Sequence, residues 1–150
     1  MNEPLKKSIR VRCPVAHAFA VFTGQVDLWW PRGHRRFDDS KLRLDPVIGG
    51  RFIERAADGQ EAQLGEVVTC DPPNAIAYTW NPGRGAGPTL VSVSFAADSE
   101  GTLVEVLHSE GESELADLWG ERVALFTRGW DLILPAFAAF AAFAEGGDAT

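Results

Sequence analysis

Cysteine, tyrosine and methionine are scarce in this chain of 150 residues, which holds 2 Cys, 1 Tyr and 1 Met. Cys13 and Cys70 can pair only once and show no metal-ligand spacing, which excludes a disulfide framework and a cysteine-based zinc site. Reduced thiols, and with them a cytoplasmic protein, are the expectation. Positive charge is also short: 14 Lys+Arg stand against 21 Asp+Glu, a formal net charge of -7. An acidic chain builds no broad basic face for phosphate backbones, so nucleic acid is excluded as a partner. Long apolar runs are missing too. The longest, Leu132 to Ala144, contains Pro135 and is shorter than the roughly 20 residues that cross a bilayer. No apolar stretch follows the charges of Lys6 and Lys7 as it would in a signal peptide. The reading is a soluble chain with no membrane partner.

What the chain does have is rigid aromatic volume, with 5 Trp and 9 Phe at 45% apolar residues and a mean hydropathy of -0.08. These values suit one globular domain, with a core from about residue 8 to 143 and either a large aromatic interior or a pocket lined by flat apolar surface. The length suffices to bury such a core without covalent staples.

Ser8 to Arg12 alternates as a short strand, and Cys13-Pro14 stops it. Val15, Ala18, Phe19 and Phe22 then fall on one helical face, with Pro14 expected at the first helical position. Gly24 ends that helix, and Val26 to Trp30 forms a second short one before Pro31. Arg32 to Ser40 is loop. Six further strands follow: Lys41–Asp45, Arg51–Arg55, Gln63–Cys70, Ala75–Trp80, Thr89–Ala96 and Thr102–Ser109. Turn residues such as Gly49-Gly50, Asp58-Gly59 and Pro72-Pro73-Asn74 separate them, which predicts an antiparallel meander. From about Leu118 the period changes to 3.6, with Trp119, Val123, Phe126, Trp130, Ile133, Phe137 and Phe140 on one stripe and Glu121, Arg128 and Asp131 opposite. Pro135 should bend this long helix. The tail from Glu145 should fray.

A sheet with one apolar face must cover it, and only the last helix is long enough. A twisted sheet and a straight rod meet along a line and part elsewhere, leaving a gap for side chains, the short helices or a ligand.

Several segments, in order along the chain, carry a family resemblance. They are Pro14-Val15-Ala16, Asp27-Leu28-Trp29-Trp30-Pro31, Gly49-Gly50-Arg51-Phe52, Asp58-Gly59, Gly65-Glu66-Val67-Val68, Asp71-Pro72-Pro73, Tyr78-Thr79-Trp80, Gly101-Thr102, His108 and Gly129-Trp130. From about Ile9 to Phe143 the chain resembles the START-like (SRPBCC) superfamily, and within it the heat-shock-protein-90 ATPase activator homologue-like family. The resemblance implies an α+β helix-grip fold of the Bet v type, in which a seven-stranded curved antiparallel sheet grips a long C-terminal helix. It also implies a cavity between sheet and helix.

The candidate ligand-binding residues follow from strand parity and the helical stripe. They are Trp30 from the second short helix, Phe52 and Glu54 from one strand, Val67, Tyr78, Trp80, Val93 and His108 from those after it, and Phe126 and Trp130 from the long helix. His108 shares parity with Val104 and Val106 and so faces inward, either as a ligand or proton-transfer group or as a histidine bonded to structure. Glu54 is inward if Phe52 is, unless a bulge after Gly49-Gly50 reverses the parity. A buried Glu54 would need a partner, and a Glu54–His108 pair could serve acid–base catalysis. Trp29 or Trp30 could stand exposed at the mouth of a pocket. The basic run Arg32, His34, Arg35 and Arg36 is either a solvated loop or a clamp for an anion.

Other features lead nowhere catalytic. Gly83-Arg84-Gly85-Ala86-Gly87 lacks the Lys-Ser/Thr and the helix of a phosphate loop. Glu110, Glu112 and Glu114 read as a solvated acidic edge, and His17, His34 and His108 lack paired metal-ligand spacing, so neither a metal nor a cofactor is expected. No Gly-x-Ser-x-Gly nucleophile occurs. The leading expectation is a module that binds a small apolar or aromatic molecule. The alternative is a small-molecule enzyme related to cyclases, which the superfamily permits. A co-chaperone partnered with a heat-shock-protein-90 homologue ranks third, because in the eukaryotic co-chaperone a separate N-terminal domain contributes strongly. Homodimerisation through a strand edge or an aromatic patch is a further expectation.

Overall fold

Glycines at positive φ, Gly49 at 85° and Gly59 at 94°, make two of the sharp reversals between strands. The computed structural model describes residues 3–81, 88–111 and 119–142. The Gly83–Gly87 loop, Glu112, Glu114, the side chain of Glu121 and the tail from Glu145 lie outside the described residues. The elements are β1 (Leu5–Val11), α1 (Val15–Gly24), α2 (Val26–Trp29), β2 (Ser40–Leu44), β3 (Arg51–Ala56), β4 (Glu61–Asp71), β5 (Ala75–Trp80), β6 (Thr89–Asp98), β7 (Gly101–Ser109) and α3 (Trp119–Ala141). Pro14 caps α1 from one position outside it rather than opening it. The segment expected as plain loop holds a short 3-10 turn, Arg32–His34.

β2 to β7 form the expected meander, and β1 returns to pair with β7, giving the order β1-β7-β6-β5-β4-β3-β2. All pairings are antiparallel. The curved sheet and the long C-terminal helix make the helix-grip arrangement. Two register shifts in the pairings of β4, beside Phe52/Ile53 and between Val67 and Thr69, help bend the sheet. The first leaves the parity of β3 intact, so Phe52 and Glu54 both face inward and are fully buried. Gly65 lies at the irregularity, where a Cβ would collide with the Thr79 carbonyl.

α3 approaches the sheet at β1 and rests on α1 and α2. Its buried stripe runs through Trp119, Trp130, Ile133, Leu134, Phe137 and Ala141. Phe140 is a correction to the expected stripe, being 44% exposed. The seam leaves Phe137 by a step of four rather than three, so the small Ala141 meets the interior and Phe140 is turned outward. The helix continues through Pro135, which lies on an exposed position.

Aromatic rings fill the interior beneath the C-terminal half of α3. Phe22 lies 5.3 Å from Phe137 and 5.7 Å from Phe95 between ring centroids, and Trp29 lies 5.1 Å from Phe137. Trp29 donates its indole N–H to the Val21 carbonyl at 2.9 Å, so it belongs to this core. Trp30 turns the other way, 5.6 Å from Phe52 and 5.7 Å from Trp80. Both tryptophans are 4% exposed, so neither projects freely into solvent.

The segment from Pro31 to Asp39 is fixed by buried charge. The Arg35 side chain is 1% exposed and donates to the Asp27 carboxylate at 2.7 Å and to the carbonyls of Asp27, Trp30 and Ser40. Burial acts to raise the Asp27 carboxyl, but the Leu42 N–H and Arg35 outweigh it and hold its pKa below the ordinary value. The basic run is therefore neither a wholly solvated loop nor a wholly free clamp, because its central arginine is an internal staple. Removing one partner of such a pair leaves an uncompensated charge. Arg35→Met should cost about 3 kcal/mol in urea unfolding, whereas Arg43→Met, which breaks the exposed pair with Asp45, should cost less than about 0.5 kcal/mol. Equal losses would contradict the staple.

Candidate functional site

At the N-terminal half of α3 the interior is held differently. The Trp130 indole N–H donates to Nδ1 of His108 at 3.1 Å, and Nε2 of His108 lies 2.8 Å from the Thr89 hydroxyl. An indole can only donate, so Nδ1 is the acceptor and the imidazole proton resides on Nε2, pointed at Thr89 Oγ1. The Thr89 hydroxyl in turn donates to the Trp80 carbonyl at 3.1 Å. One directed chain thus runs from α3 across β7 and β6 to β5, and both ring nitrogens of His108 are engaged. The imidazole also stacks on Phe126, 4.1 Å between centroids.

Beside this chain a cavity of about 460 Å³ opens between α3, the end of β5 and the Trp30 segment. Trp30, Trp80, His108, Phe126 and Trp130 line it, together with Ile133. Leu125 and Leu132, 50% and 59% exposed, stand where it meets solvent. Gly129 also borders it, and a Cβ there would meet nothing within 4 Å. A second cavity of about 310 Å³ shares Trp30, His34 and Trp80 with the first and reaches Glu54, Arg35 and Arg36.

Five of the ten expected ligand-binding residues, Trp30, Trp80, His108, Phe126 and Trp130, therefore share one wall. The other five do not. Phe52, Val67 and Tyr78 border neither cavity and are packed in the interior, with the Phe52 and Tyr78 rings 5.4 Å apart, because inward parity fixes the face a residue is on and not whether the space it faces is filled. Val93 borders only a groove on the other face of the sheet. Glu54 reaches the second cavity, where its carboxylate accepts the Arg36 N–H at 3.0 Å, the Phe37 N–H at 2.8 Å and the Ser40 hydroxyl at 2.7 Å. Glu54 and His108 share no hydrogen bond among the described residues and line different cavities, so the acid–base pair is not assembled.

Sequence reasoning missed Thr89 and the Asp27–Arg35 pair. Thr89 had a signal, since it is in phase with Val91, Val93 and Phe95 and so faces inward. His34 stands in the basic run and Gly129 in a family motif, but their place at the cavity comes from where a loop and a helix face each other, which the sequence does not show. No group of three His, Cys, Asp or Glu side chains is placed to hold a metal among the described residues.

Burial pushes the His108 imidazole down to about 4 from its ordinary 6.5. Protonation would also put a second N–H at Nδ1 against the Trp130 indole N–H. The unfolded chain binds this proton more readily than the folded one, so the stabilisation is complete above pH 6.5 and is lost as pH falls toward about 4. The loss should be on the order of 3 kcal/mol. Urea unfolding across that window should show a steep acid limb that is shallower in His108→Gln. Parallel limbs would contradict a buried neutral imidazole.

The family model described as Activator of Hsp90 ATPase homolog 1-like protein matches residues 12–142. Among solved structures, protein Ms6760 from Mycobacterium smegmatis is similar with a TM-score of 0.67 at 15% identity, covering 95% of this chain and 92% of its own. The AHSA1-like protein from Aeromonas hydrophila is similar with a TM-score of 0.64 at 19% identity, covering 91% and 90%. The anthrahydroquino-gamma-pyrone synthase Txn09 is similar with a TM-score of 0.61 at 29% identity, covering 92% and 96%. No curated protein sequence matches the chain significantly.

Proposed function

From the premise that the chain belongs to the Activator of Hsp90 ATPase homolog 1-like family, we propose that it binds a small, flat, apolar molecule in the cavity between α3 and the sheet. The observation that carries this reading is the wall itself. Trp30, Trp80, Phe126 and Trp130 present aromatic surface to a space of about 460 Å³, within the range of small-molecule sites. Gly129 supports it. A glycine inside a helix costs about 1 kcal/mol relative to alanine, and here no close neighbour explains it. It is explained if the space above it is to be occupied. Apolar burial supplies the affinity, and the engaged His108 serves as a fixed polar strut in the wall rather than as a base.

A second reading, ring-closing chemistry on a polyaromatic substrate, draws on the 29% likeness to Txn09, which is named as a synthase. In that reading catalysis by His108 with Glu54 requires both to leave the partners they hold, so the wall would act chiefly by folding and orienting the substrate. Fold alone carries no activity, and binding is the common requirement of both readings.

A panel of polycyclic phenols, naphthalenes and fatty acids, read by thermal shift, tests the proposal. A ligand at a hundred times its dissociation constant should stabilise by about 2.7 kcal/mol. Gly129→Leu should keep or raise the melting temperature and abolish the ligand's shift. An unchanged shift in that variant, or none with any class, would contradict binding in this cavity.

A further inference from the structure

Two basic side chains border the apolar cavity without a role in it so far: His34, on the short turn after Trp30, and Arg128, on α3 beside Gly129. Several cations elsewhere in this acidic protein are committed. Lys7 pairs with Asp131, Arg10 with Asp98, Arg43 with Asp45 and Arg55 with Glu61, while Arg35 is spent on Asp27 and Arg32 donates to the Ser40 carbonyl. Among the described residues, neither the His34 imidazole nor the Arg128 guanidinium bonds or pairs with another side chain. His34 is bound through its backbone: its carbonyl accepts the Trp30 indole N–H at 3.2 Å and its N–H donates to the Pro31 carbonyl at 3.1 Å, which ties the turn to the cavity wall.

We propose that the ligand of this cavity carries an acidic group, held at the rim by Arg128 and His34 while its rings lie against Trp30, Trp80 and Trp130. This rests on the binding reading above and adds the chemical class of the ligand. A net charge of -7 repels anions from the surface at large, so two basic groups bordering one apolar opening give an anionic ligand a favoured approach there. Arg128 offers the planar donor fork that matches a carboxylate or sulfonate, and His34 offers a ring N–H. The apolar surroundings, with Leu125 and Leu132 beside the rim, weaken the screening that would make such a contact negligible in open water. The acid fixes which end of the molecule enters first, a choice that aromatic surface alone does not make.

The test uses two fluorescent probes that differ only in a sulfonate, 8-anilinonaphthalene-1-sulfonate and the neutral N-phenyl-1-naphthylamine. The native protein should bind the sulfonate about tenfold more tightly, the effect of one partly screened charge contact. Arg128→Gln and His34→Gln should each remove much of that preference and leave the neutral probe's affinity unchanged, and added salt should erode it in the native protein. Gly129→Leu should abolish both signals, which places them in this cavity. Equal affinity for the two probes, or a preference that survives both substitutions, overturns the acidic-ligand inference and leaves the binding reading standing. Failure of both probes to bind takes down the binding reading, and this inference with it.

Discussion

A single hydrogen-bond chain, from the Trp130 indole through the His108 imidazole and the Thr89 hydroxyl to the Trp80 carbonyl, joins the long helix to the sheet where rings do not fill the space between them. It links α3, β7, β6 and β5 at the wall of the larger cavity. Every group in it is satisfied, so it can stand in an apolar setting without the penalty of an orphaned polar atom. Besides its approach to β1, the helix is thereby held by two unlike kinds of contact. Under Phe137 the contact is ring against ring. At Trp130 it is a directed strut with open volume beside it. A cavity survives at the second place because a strut fixes separation, whereas an apolar contact would close until the gap was gone.

Much of this was legible in the order of residues. Alternation and turn residues gave the meander, and the 3.6 period gave the helix. Parity put Glu54 and His108 inside from the positions of Phe52 and of Val104 with Val106. Parity says which face a residue is on and nothing about how far along the strand the sheet and helix part. That is why parity alone groups Phe52, Val67, Tyr78 and Val93 with residues that border the cavity, although they lie in the packed stretch. Phe140 departs from the expected stripe for a related reason: periodicity cannot decide between a step of three and a step of four, and the closeness of Ala141 to the interior decides it. Arg35 was hidden because a basic run reads as surface until a buried acceptor such as Asp27 is known.

The two buried ionic or polar devices divide the labour of the site. Arg35 with Asp27, and Glu54 with the Arg36 and Phe37 amides and Ser40, pin the segment that carries His34 and follows Trp30. His108 pins the helix. Glu54 and His108, the two residues that strand parity offers for acid–base chemistry, thus help to position the two ends of the cavity wall, with their polar atoms engaged in holding shape. What remains available at the opening is aromatic surface, two leucines and two basic side chains. That inventory suits recognition of a flat molecule better than proton transfer to one.

Nitrogen-15 NMR of the His108 side chain reaches the strut without disturbing it. The strut requires a protonated, pyrrole-type Nε2 and an unprotonated, pyridine-type Nδ1 that shares a hydrogen bond with the Trp130 indole proton, persisting well below the ordinary titration of histidine. The opposite tautomer, or an imidazole that takes up its proton near the free value of 6.5, would show that no such chain joins helix to sheet.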